Sequence, residues 1–136
     1  RMPFTAGHIC VAIKRLYSGQ VIFHDGDAEL ADGVTVHCLG GHSRGLQAVR
    51  VRTAGGWMVL ASDAAHFYEN LLLRKPFPIV VDLENMLAGF DRLIGLASRT
   101  ELIVPGHDPM VTRVFAQGVA DHIWRLDPGP VAEITL

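Results

Sequence analysis

A layered α/β domain (α+β in its finer arrangement) is the fold class this sequence predicts. Three observations predict it. Apolar runs of β type recur along the chain, in "VTVHCLG", "LQAVRVR", "WMVLAS" and "ELIVPG", separated by turn or helical stretches. The stretch "DLENMLAGFDRLIGLAS" sets Leu83, Met86, Leu87, Phe90, Leu93, Ile94 and Ala97 on one face of a helix. A length of 136 residues, 49% hydrophobic and 19% charged, suffices for one domain with about two layers around one core.

Taken in order, "GHICVAIKRLYSG" is a helix: Ile9, Ala12, Ile13, Leu16 and Tyr17 recur at helical spacing, Thr5 stands at the N-cap and Gly19 at the stop. "QVIFHDGDAEL" reads as a short strand running into an Asp-Gly-Asp turn. "VTVHCLG" alternates Val34, Val36 and Cys38 against Thr35, His37 and Leu39, the period of a half-buried strand. "LQAVRVRTAGGWMVLAS" is a hairpin whose second strand, apolar on both faces, belongs inside a sheet. "DAAHFYENLLLRK" predicts a short helix stopped by the prolines at 76 and 78. The amphipathic helix follows with Asp82 as its N-cap, then a buried strand in "TELIVPGHDP". The tail predicts one helical turn and a final edge strand.

Composition excludes some functions. Net charge is −2, with acids and bases interspersed, which is not the footprint of a nucleic-acid or anionic-membrane binder. No run approaches the roughly 18 apolar residues of a membrane span. Cys10 and Cys38 stand in apolar contexts without a Cys-x-x-Cys pair, so buried free thiols of a reducing, cytoplasmic protein are expected, with one disulfide as the alternative. The opening "RMPFTAGH", without a start methionine or a signal segment, suggests a piece of a longer chain.

The stretch "LGGHSRGLQ" places an imidazole among glycines where a strand ends. The pattern recurs twice. Asp63 follows "WMVLAS" and His107 follows "LIVPG", and the loops leaving one edge of a layered α/β sheet lie near one another. Glycines at 40, 41 and 45 let the backbone bend and aim His42 across that edge. Imidazole and carboxylate suit zinc, and a carboxylate between two histidines can bridge a pair of ions. Spacing leaves a structural alternative open, in which Asp63 caps a helix and the two histidines bond to turn backbone.

On these residues the sequence resembles the metallo-β-lactamase superfamily, and within it the N-acyl homoserine lactonase-like branch. "GGHSRGLQ" is similar to the family turn that carries a histidine ligand, "LASDAAHFYEN" to its strand-end aspartate and "VPGHDP" to its last histidine, in that order from about residue 15 to about 115. The resemblance implies an αββα sandwich of which residues 1–136, a single partial domain, form the C-terminal half. It also implies two zinc ions in the intact fold, with His42 on one, His107 on the other and Asp63 bridging. The activity implied is hydrolysis of a small-molecule lactone or related ester by a metal-bound hydroxide.

Two departures qualify it. The family's upstream His-x-His-x-Asp-His run is absent, since His8 and His24 have no such neighbours. Each ion would then have two protein donors where catalytic zinc takes three, so weak or absent zinc binding and no activity are expected of this chain alone. Lactonases of this type often carry tyrosine three residues after the bridging aspartate; here that position is His66, with Tyr68 two further on. Either can donate to a developing oxyanion, so Asp63, His66 and Tyr68 are the catalytic candidates, and a solvent-facing helix position is the other reading of His66.

The remaining polar and aromatic residues read structurally. Trp57 and Trp124 are core or interface fillers, Asp25 and Asp27 turn-formers, His37 a packed and hydrogen-bonded histidine, and Asp108 a support for its loop or for a neighbouring histidine. A half sandwich leaves one sheet face open, which a second copy around a two-fold axis would cover, so a homodimer is expected. A glyoxalase-type thioester hydrolase is the nearest enzymatic rival. A non-catalytic half-domain, serving as an oligomerisation or binding module, is the rival outside enzymes.

Overall fold

The computed structural model describes residues 4–136; residues 1–3, at the head of "RMPFTAGH", lie outside it. Helix α1 (Ala6–Tyr17) forms where its periodicity places it, and Gln20 N–H closes its end on the Arg15 carbonyl at 2.9 Å. No residue of α1 is buried. The strand expected in "QVIFH" does not form. Ile22 and Phe23 are 80% and 77% exposed, because a β-prone run becomes a strand only beside a partner.

The sheet begins after that turn. Strands β1 (Ala28–Ala31), β2 (Val34–Cys38), β3 (Gln47–Thr53) and β4 (Gly56–Ser62) form an antiparallel meander, and β5 (Ile103–Pro105) adds to β4 in parallel, in the order β1-β2-β3-β4-β5. The hairpin read from "TAGG" is the β3–β4 turn, and β4 lies inside the sheet as its apolar run predicts.

Register partners share a face. Ala48, Val59, Ala61 and Ile103 pack beneath helix α3 (Leu83–Leu96), against Met86, Phe90 and Leu93. Asp82 caps α3 as expected, accepting from Asn85 N–H at 2.9 Å. Leu83 and Ile94, counted on its apolar face by periodicity, are 52% and 44% exposed, so the buried stripe is narrower than the pattern. Val36, Val49 and Leu60 align on the opposite face. On that face Met58 and Val104 pack with Leu102, Val114 and Phe115, while Leu60 stays 37% exposed.

Helix α2 (Tyr68–Leu72) is shorter than the "DAAHFYENLLLRK" stretch. Its first turn is fixed from a distance, by Asp108 Oδ2 accepting Tyr68 N–H at 2.8 Å, so Asp63 caps nothing here. One helical turn, α4 (Val111–Val114), ends where the tail "VFAQGVADHIWRLDPGPVAEITL" begins, and the tail itself holds no helical turn but more strand than expected: β6 (Phe115–Gln117) and β7 (Trp124–Pro130) form a separate antiparallel ribbon. Gly55 N–H donates to the Asp127 carbonyl at 3.2 Å, fastening the ribbon to the β3–β4 turn.

Both cysteines are free, but Cys10 is exposed and Cys38 only half-buried, which corrects the expectation of buried thiols: α1 covers nothing. Trp57 lies under the Arg50 guanidinium at 3.8 Å, and Trp124 packs on the second cluster while its Nε1 donates to the Thr112 carbonyl at 2.9 Å. Among the described residues no helix is long and apolar enough to cross a membrane.

Candidate metal centre

Three strand ends and one turn build the site. After β2 the chain folds back, with Leu39 N–H donating to the Leu46 carbonyl at 2.9 Å, and then runs against α3. Gly41 makes that contact possible: its φ is +85°, and a Cβ there would stand 2.7 Å from Met86 Cα. Its carbonyl accepts from Val81 N–H at 2.9 Å and Asp82 N–H at 3.0 Å, which draws the 77–81 stretch over the site. His42 Nδ1 meets the Ile79 carbonyl at 2.8 Å. A carbonyl only accepts, so Nδ1 carries the proton.

At the end of β4, Ser62 takes a left-handed φ of +50° beside a register shift against β5, and the chain turns to present Asp63. His66 follows in the same turn, stacked on Phe77 with ring centroids 3.6 Å apart and planes 10° from parallel. Beyond β5, Gly106 passes so close to β4 that a Cβ there would lie 2.7 Å from the Ser62 carbonyl oxygen. Gly106 N–H and His107 N–H then donate to the carbonyls of Ala65 and His66, each at 3.0 Å, locking the two turns together.

The side chains converge on Asp63. Its Oδ1 lies 2.8 Å from His107 Nε2 and 3.5 Å from His66 Nε2, and its Oδ2 lies 3.7 Å from His42 Nε2. Donor atoms of Asp63, His66 and His107 all fall within 4.8 Å of one another. Burial, reinforced by His107 and His42 and opposed by Asp63, holds the His66 imidazole below its ordinary pKa, favouring the neutral form that ligates a metal.

The donor set fits a divalent cation. With Nδ1 donating to Ile79, Nε2 is the His42 atom left to ligate, and it faces a carboxylate oxygen. A cation standing between that nitrogen and the carboxylate oxygen, 3.7 Å apart, would be attracted by both. His, His, His and Asp are the borderline and hard donors that zinc and its neighbours take.

His42, Asp63, His66 and His107, all read from the sequence, therefore come together. Tyr68 does not join them. Its side chain is 0% exposed, packed with Met58, Leu102, Val114 and Phe115, and its hydroxyl has no hydrogen-bond partner among the described residues. Burial pushes that phenol well above its ordinary pKa. His66 is no solvent-facing helix residue, because it precedes α2 and its side chain is 18% exposed. Asp108 supports its loop, accepting Met110 N–H at 2.8 Å as well as Tyr68 N–H. His37 bridges Thr35 Oγ1 at 2.9 Å and Asp27 at 2.8 Å. Sequence reasoning missed Phe77, seen only as part of the helix-stopping "PFP", and the Ile79 carbonyl, which no residue type signals.

No protein-family model matches the chain, and a search of curated proteins returns no match. Solved structures do match. An N-acyl homoserine lactone hydrolase, holding the product N-hexanoyl-L-homoserine at its catalytic metal centre, is 30% identical over 66% of this chain, with a TM-score of 0.59. The dizinc quorum-quenching lactonase AidC aligns over 92% of the chain at 15% identity and a TM-score of 0.57. A probable metal-dependent hydrolase from Staphylococcus aureus aligns over 68% at 20% identity and a TM-score of 0.55. The chain spans 36%, 42% and 34% of the lengths of these three proteins.

Proposed function

We propose, from the metallo-β-lactamase-like fold that this chain shares with N-acyl homoserine lactone hydrolases, that it carries the metal-holding part of a hydrolase acting on a lactone or related ester. The observation behind this reading is the division of Asp63: Oδ1 faces His107 and His66, and Oδ2 faces His42. A carboxylate so flanked is suited to two cations, with His42 serving one and His107 the other. Bound zinc supplies Lewis acidity toward a carbonyl and acidifies water toward neutral pH. The chain's own part is to fix the donors: Ile79 orients His42, the Gly106 turn brings His107 to Asp63, and the Phe77 stack holds His66.

The reading places residues 1–136 as a partial domain, the C-terminal half of an αββα sandwich, in a cytoplasmic protein. Without donors from a His-x-His-x-Asp-His run the chain alone does not assemble the two-ion centre and does not turn over substrate. The test is hydrolysis of N-acyl homoserine lactones, simple esters and thioesters by a protein that joins this chain to such a run. Zinc-dependent lactone turnover, lost in Asp63→Ala, is expected; turnover surviving that substitution overturns the assignment, and a preference for thioesters moves it to the glyoxalase type.

A homodimer is part of the proposal. The apolar side chains of α1, with Ile9, Ile13 and Leu16 between 41% and 50% exposed, and Leu60 at 37%, suit a second copy packed around a two-fold axis. Light scattering of the chain should give twice its mass, and a monomer at all concentrations refutes the arrangement.

A further inference from the structure

We propose that Asp63, His66 and His107 form a three-donor site for one zinc-like ion, complete within this chain. The proposal rests on the metal-dependent reading above, but changes the role of His66 from a contact for substrate oxygen to a ligand. Counting donors along the sequence gives two per ion. The structure adds a third, because His66 lies in the turn between Asp63 and α2, on the same side as His107.

Distances support the count. Zinc with ligands at about 2.0–2.1 Å in tetrahedral arrangement sets neighbouring donors roughly 3.3 Å apart. Here Asp63 Oδ1 lies 3.5 Å from His66 Nε2, close to that spacing, and 2.8 Å from His107 Nε2, a hydrogen bond whose proton the ion would replace as the pair separates by a few tenths of an ångström. Three protein donors with a fourth position left for water is the usual form of a reactive zinc site.

The site is also held before an ion arrives. The His66 ring is clamped on Phe77 at 3.6 Å, and the backbone bonds from Gly106 to Ala65 and from His107 to His66 fix the two turns on each other. The cost of ordering three ligands is thereby met largely in folding. His42 stands apart, on the other carboxylate oxygen, and so is not needed for this first ion.

The experiment is titration of the chain with cobalt(II) and zinc(II), read by visible absorption and calorimetry. One ion per chain is expected, with the strong visible bands of tetrahedral cobalt. His66→Gln and His107→Gln should each weaken binding at least about tenfold, while His42→Gln changes it less than about threefold. His66→Tyr, which keeps a ring on Phe77, guards against a folding artefact and should lose affinity as His66→Gln does. Wild-type affinity in both His66 variants overturns the proposal. So does affinity lost with His42 but not with His66, a result that leaves the hydrolase reading standing on His42, Asp63 and His107. Absence of binding by the folded chain also overturns it, and turnover by a protein that joins this chain to a His-x-His-x-Asp-His run judges the hydrolase reading separately.

Discussion

The Nδ1 hydrogen of His42 is tied to the Ile79 carbonyl at 2.8 Å, and Nε2 is thereby left as the nitrogen that faces Asp63 Oδ2 across 3.7 Å. A backbone carbonyl thus sets which nitrogen is free, and a carboxylate sets what that nitrogen can share. Removing the carboxylate should therefore remove the centre, not the fold. Asp63→Ala is expected to abolish metal binding and, in a protein that joins this chain to a His-x-His-x-Asp-His run, to lower any lactone turnover by more than about a hundredfold. Because Asp63 caps no helix, the denaturation midpoint should move by less than about 1 kcal/mol equivalent, checked by urea titration.

Tyr68→Phe separates a buried phenol from a catalytic one. The hydroxyl is enclosed without a partner, so its removal should leave stability unchanged or raise it by about 1 kcal/mol. Turnover should be unaffected. A large drop in kcat with normal stability would restore the oxyanion role to Tyr68.

Gly106→Val tests how the two turns are coupled. A side chain there meets the Ser62 carbonyl, so the turn carrying His107 must back away from Asp63. The expected result is a loss of about 1–3 kcal/mol in stability together with weakened zinc binding, measured by urea titration and calorimetry.

Asp27 makes stability depend on acid. The hydrogen bond from His37 lowers its carboxyl pKa below 3.8, outweighing burial, with help from Cys38 N–H and Arg92. A group lowered on folding stabilises fully above its unfolded value, and the contribution disappears as pH falls through the lowered one. Asp27→Asn should therefore cost about 1 kcal/mol near neutral pH, discounted for its exposure, and nothing in strong acid. Unfolding curves of the two proteins, taken across that range, should converge below pH 3.8.

Local signals carried much of this molecule. The β3–β4 hairpin and α3 were legible because turn residues, alternation and Asp82 all act within a few positions. His42, Asp63 and His107 were legible because each follows a strand end within four residues. Long-range causes were not. Asp108 decides where α2 starts, and that start sends Tyr68 into the core while leaving His66 at the rim. "QVIFH" failed as a strand for want of a neighbour, and α1 formed without one, since helices bond internally and strands do not.

The parallel pairing of β4 with β5 brings together segments separated by the whole stretch from Asp63 to Leu102, α2 and α3 included, whereas every other pair in that sheet joins chain neighbours. Closing so long a loop is the entropically slow event in folding, and Asp63 and His107 stand on its two lips. An ion seated between them would act as a latch, slowing the reopening of that loop and protecting β5 amides against hydrogen exchange as its concentration rises.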